Sequence, residues 1–163
     1  MKERVPYDDA VDLLDADHKA IKKMFIEHAA LCEYGATPAG KRTLALRICA
    51  ALAAHAQIEE EIFYPQVRLA IGQDALMDEA LQEHAEAKTL ISRIEAMKAT
   101  DPGHDAAVRQ LGSVIDAHVL NEREHIFLTA SQAALDLRAM TLPLLKRQQQ
   151  LKTVTAKTTK ESA

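Results

Sequence analysis

Apolar residues recur at three- and four-residue steps in four long segments, as in helices that bury one face. The first spans residues 8–34, with Val11, Leu14, His18, Ile21, Phe25, His28 and Cys32 on one stripe. The second spans residues 41–71, with Leu44, Ile48, Ala51, His55, Ile58 and Ile62. The third, residues 74–99, carries Met77, Ala80, His84, Ala87, Ile91 and Ile94. The fourth, residues 105–134, carries Val108, Leu111, Ile115, His118, Glu122 and His125. The breaks between them, GATPAG, Gly72 and TDPG, are turn chemistry. Long helices joined by short turns predict an all-α fold, an antiparallel up-down-up-down four-helix bundle. Pro65 lies inside the second segment and cannot donate a backbone hydrogen bond, which predicts a kink after Tyr64. Residues 135–145 read as a short C-terminal helix packed across the bundle, so the domain is expected to span 1–145. Residues 146–163 read as a polar, basic, flexible tail.

Each apolar stripe carries a histidine: His18, His55, His84 and His118. A lone histidine on such a stripe is most simply a hydrogen-bonded core residue. Four of them at one height are harder to explain that way. In an antiparallel pair, residues equally far from the connecting turn lie level. The midpoint of His18 and His55 falls within GATPAG, that of Glu59 and His84 beside Gly72, and that of His84 and His118 at Asp101. All four imidazoles therefore reach one layer, within about one helical turn, or roughly 5 Å.

Two carboxylates join them. Residues four apart on a helix differ by about 40° in direction, so His55 shares a face with Glu59, and His118 with Glu122. Two buried carboxylates facing one another repel unless a cation intervenes. A layer of His18, His55, Glu59, His84, His118 and Glu122 suits iron, manganese or zinc, and the lack of thiolates argues against a closed structural zinc site. Two octahedral ions sharing both carboxylates and an oxide or hydroxide would keep about two coordination positions open for a small ligand. The chain also repeats itself: HAQIEEEIFYP and HVLNEREHIFL align without gaps on the histidine, the glutamate four residues on, a second acid and an aromatic. Each half of the bundle thus supplies one ion's histidines.

Asp17-His18, His55-x-x-x-Glu59-Glu60 leading to FYP, Glu83-His84 and His118-x-x-x-Glu122 together resemble the hemerythrin-like (HHE cation-binding) family. The resemblance covers about residues 13–128. It implies a bundle holding two oxo- or hydroxo-bridged iron ions, with those six residues as ligands. It further implies binding of, or reaction with, dioxygen, nitric oxide or peroxide. Oxygen-carrying members have a further histidine four residues after the third-helix one; here that position is Lys88. The implied centre has four histidines and is more open, suited to sensing or redox chemistry.

Composition narrows the rest. The 163 residues are 48% hydrophobic with no Trp, so an aliphatic core is expected. A net charge of −4 gives no field for a nucleic acid. No apolar run reaches the roughly 18 residues of a membrane span, and MKERVPYDDA lacks a secretion core. The expected location is cytoplasmic, with Cys32 and Cys49 as unpaired apolar fillers. His28 is expected at a core end or partly exposed, His104 at the surface or as a cap, and Glu60, Glu61 and Glu124 on a solvated face. His125 should face the centre's way but lie about 10 Å further along, and Tyr64 should point away from it. Ile21, Phe25, Ile58, Ile62 and Ile115 are expected to form a dry wall. No catalytic acid or base is assigned. A small-ligand binder or sensor is the leading reading; a di-iron enzyme acting on peroxide or nitric oxide, or metal storage, are the alternatives.

Overall fold

The computed structural model describes residues 5–161, with side chains through residue 153. Nine helical segments follow one another, with no strand among the described residues. Helix α1 (Ala10–Glu33) starts where the Asp9 carboxylate accepts the Asp12 amide at 2.8 Å. Helix α2 (Pro38–Ile58) opens on a Thr37 cap with Pro38 at its first position. It continues without a break through a π segment (Glu59–Phe63) into α3 (Tyr64–Ile71), which stops at Gly72 in the left-handed conformation, φ 63°. Helix α4 (Asp74–Ala96) returns. Helix α5 (His104–Asn121) then runs through a second π segment (Glu122–Phe127) into α6 (Leu128–Gln132). The bundle is the one the stripes predict.

Helix α7 (Leu137–Glu161) packs against α1 and α2, burying Leu137, Met140, Leu144 and Gln148. It is longer than the short helix expected to end at residue 145. Beyond that point the Arg147 guanidinium reaches Glu61 on the first π segment at 2.8 Å.

Pro65 does not break its helix. A π turn widens the ladder to i→i+5, so the Tyr64 amide bonds the Glu59 carbonyl, and the proline falls at the start of α3. The second π segment contains no proline. What the two share is their first residue, Glu59 in one and Glu122 in the other. Each π turn holds one residue more than an α turn, so everything after it is rotated by about 100°. Burial records the shift. Phe63 and Val67 follow Glu59 into the core, and Ile126 and Ala130 follow Glu122, while His125 is exposed.

The apolar core has two parts. One gathers Leu13, Leu14, Ile58, Phe63, Met77 and Ile126 with α7; the other gathers Ile21, Ile48, Leu52, Ile91, Ile94 and Leu111. His18 lies between Leu14 and Ile21 on α1, and His55 between Leu52 and Ile58 on α2. The histidine layer therefore separates the two. Among the described residues no helix is long and apolar enough to cross a membrane.

Thr37→Ala should cost about 1 kcal/mol and lower the melting temperature by about 2–4 °C, while Thr37→Ser should melt like the parent. Equal melting of the alanine variant would count against a cap at that position.

Candidate metal centre

The six residues meet in the layer between the two cores. The four histidines are 4–7% exposed, and Glu59 and Glu122 are 0% exposed. Their donor atoms form two overlapping quartets, His18–His55–Glu59–Glu122 and Glu59–His84–His118–Glu122, each lying within 4.8 Å. Both carboxylates belong to both quartets. His55 Nε2 lies 3.0 Å from Glu59 Oε1, and His118 Nε2 lies 2.9 Å from Glu122 Oε2. His18 Nε2 stands 3.4 Å from Glu122 Oε1, and His84 Nε2 3.4 Å from Glu59 Oε1. The Nε2 atoms of His84 and His118 are 3.1 Å apart.

Three imidazoles are held from behind. His55 Nδ1 donates to Asp17 at 2.5 Å, His84 Nδ1 to Glu60 at 3.0 Å, and His118 Nδ1 to Glu83 at 3.0 Å. A proton on Nδ1 leaves the Nε2 lone pair aimed inward. Glu60 was expected on a solvated face. It instead packs against α4, where Lys88 Nζ also holds it, at 2.7 Å.

Tyr64 departs most from expectation. Nine residues past His55 on an uninterrupted α-helix it would point the opposite way. The π turn removes about 100° of that rotation. Its hydroxyl donates to Glu122 Oε2 at 2.6 Å and lies 3.3 Å from His84 Nε2. Burial, with Glu122 and Glu59 nearby, holds the phenol well above its usual range, so it keeps its proton. The sequence did hold a signal for this: His55, Glu59, Phe63 and Val67, like His118, Glu122, Ile126 and Ala130, recur every four residues. An α-helix would drift about 120° over that span, so four buried residues at that spacing call for an inserted residue.

The charges fit a cation. Burial opposes ionisation of both His55 and Glu59, yet each sustains the other. His55 stays well above its normal pKa with Asp17 behind it, and Glu59 well below its own. Burial and the neighbouring Glu59 push Glu122 up to about 7. Burial would lower His118, but Glu122, Glu59 and Glu83 raise it to about 9, whereas burial and the neighbouring His55 take His18 down to about 3. His18 Nε2, His55 Nε2, both Glu59 oxygens and Glu122 Oε1 are buried without a hydrogen-bond partner. Such orphaned nitrogen and oxygen donors, crowded together, are what a metal ion satisfies.

On the side of the layer away from the π segments lies a small cavity of about 30 Å³. The four histidines floor it, and Ile21, Leu52, Ala87, Ile91 and Ile115 wall it. Of the expected dry wall, Ile21 and Ile115 are there. Ile58 packs beneath the layer, and Phe25 lies against Gly112. Further from the centre, His28 Nδ1 lies 3.7 Å from Cys32 Sγ within α1, and Lys41 pairs with Asp105 at 2.7 Å, tying α2 to α5. His28 is buried there, at the core end and not partly exposed; His104, expected at the surface or as a cap, is the first residue of α5 and is buried as well, at 2% exposed. Cys32 and Cys49 are free thiols.

A bundle with buried imidazoles and carboxylates converging between its helices is a metal-binding helical protein. The chain belongs to the hemerythrin family, matching the hemerythrin HHE cation binding domain over residues 9–130. It is 30% identical over 116 residues to a protein described as a DNA nickase from Nostoc sp. strain PCC 7120; the match takes in 71% of this chain but 32% of that protein. In fold it is similar to the crystal structure of a hemerythrin HHE cation binding domain-containing protein from Mycobacterium kansasii, an Rv2633c homologue. The TM-score is 0.75 at 18% identity, over 90% of this chain and 88% of that one.

Proposed function

We propose that the layer holds two iron ions, bridged by Glu59 and Glu122 and by an oxide or hydroxide, and that the protein binds or senses dioxygen, nitric oxide or a related small ligand there. The observation that carries this reading is the pair of overlapping quartets sharing both carboxylates. One quartet describes one ion; two with common bridging groups describe a pair. When bound, the iron pair would supply redox chemistry and open coordination positions. The chain supplies the rest. Asp17, Glu60 and Glu83 aim three imidazoles, and Tyr64 orients Glu122. The cavity, lined by aliphatic side chains and Lys88, has room for one or two molecules of water size over the histidine face.

A second reading, an enzyme consuming peroxide or nitric oxide, is favoured by Tyr64, whose hydroxyl carries a proton inside the layer. The nicking activity named for the Nostoc relative is not carried over, because the match takes in a third of that protein and this chain's charge is −4.

Elemental analysis and an optical spectrum of protein from iron-replete cells test the iron pair. Two irons per chain with near-ultraviolet absorption are expected. His118→Ala should hold one ion or fewer per chain with helix content unchanged; full occupancy in that variant would remove His118 from the ligand set. Titration with dioxygen or nitric oxide, set beside a peroxide-turnover assay, separates binder from enzyme. Loading well beyond two irons would point to storage.

A further inference from the structure

We propose, resting on the paired-metal reading above, that the two metal positions are unequal. The His84–His118 position fills first and holds its ion more tightly; the His18–His55 position fills second and exchanges its ion with solvent more readily.

In HAQIEEEIFYP and HVLNEREHIFL the half-sites match at His55 and His118 and at Glu59 and Glu122, but differ at two places that touch the centre. Glu60 in the first corresponds to Arg123 in the second, and Tyr64 corresponds to Phe127. Glu60 stands behind His84, so its counterpart should stand behind His18. It is an arginine, turned outward to Asp15 Oδ1 at 3.2 Å and 55% exposed. His18 Nδ1 is consequently buried with no hydrogen-bond partner, although Asp17, Glu60 and Glu83 serve the other three rings.

The second difference falls on the same side. Tyr64 lies beside His84 with ring centroids 5.3 Å apart and gives its hydroxyl to Glu122. Phe127 stacks on His18 at 5.7 Å and offers no polar atom. Both departures from twofold symmetry thus weaken the surroundings of one histidine. A carboxylate behind a ligating imidazole fixes its tautomer and ring orientation and raises its basicity. Losing one such partner typically costs about 10- to 100-fold in metal affinity.

Access follows the same asymmetry. A cleft of about 350 Å³ opens to solvent beside His18, lined by Asp15, Lys19, Lys22, Ile115, Val119 and Arg123. It gives water and chelators an approach to the ring that no carboxylate holds.

The test uses the full chain stripped of metal and titrated with zinc, which is redox-inert, while histidine ring nitrogens are followed by NMR. At one equivalent, the His84 and His118 rings should show metal-bound shifts while those of His18 and His55 remain free. Chelator competition should place the second zinc at least about 10-fold weaker than the first. Glu60→Gln should narrow that gap by weakening the first site, and Arg123→Glu should narrow it by strengthening the second. Two zincs of equal affinity, or His18 and His55 loading first, would overturn the inequality and leave the paired centre standing. One zinc or fewer per chain at saturation would overturn the paired centre itself, and this proposal with it.

Discussion

Glu59→Gln is expected to empty both metal positions, not one. Gln matches Glu in shape, so the helix and the 0% exposed site should be undisturbed. What changes is charge: a neutral amide cannot bridge two cations as a carboxylate does. Glu59 belongs to both quartets, with His55 Nε2 at 3.0 Å on one side and His84 Nε2 at 3.4 Å on the other. A histidine variant removes a ligand from one ion only, so the two substitutions should differ in stoichiometry. Elemental analysis should find well under one metal per chain in Glu59→Gln. Retention of one full equivalent would show that Glu59 serves a single ion.

Chelating the metal should lower the melting temperature by on the order of 10 °C. A ligand present at about 1,000 times its dissociation constant stabilises the native state by about 4 kcal/mol, and each kcal/mol is worth about 2–4 °C in a chain this long. The stripped layer would keep two carboxylates at close range, one of them, Glu122, pushed up to about 7 by burial and its neighbour Glu59. Helix content at room temperature should nevertheless persist, because an apolar cluster lies on each side of the layer and needs no metal. Calorimetry before and after chelation, with metal added back, measures the difference. An unchanged transition would mean that the layer binds no ion of consequence to the fold.

The bundle was legible because its evidence is periodic and local: apolar residues at helical steps, then Gly72 and TDPG where the steps fail. The meeting of the six polar residues was legible for a related reason, since heights in an antiparallel bundle follow from distance to a turn. Direction around the helix was harder to read. Tyr64 and His125 were both placed by assuming 3.6 residues per turn, and each lies in or after a π segment that breaks the assumption. Phe63 replacing Ile62 in the core is the same error seen from the apolar side. The run of four buried residues spaced by fours was present in both repeats, but a π turn is rare enough that α geometry is the natural first reading. Asp17 and Glu83 stood beside His18 and His84 in the sequence, yet each serves a histidine on the neighbouring helix, a partnership that only assembly of the bundle creates.

The division of the core by the histidine layer gives the centre a front and a back. In front is an aliphatic hollow where small gases dissolve more readily than ions do; behind is a seal of Phe63, Tyr64 and Phe127 rings. Bulkier side chains at Ile21, Ala87 or Ile115 would narrow that hollow while leaving the six inward-facing polar side chains in place.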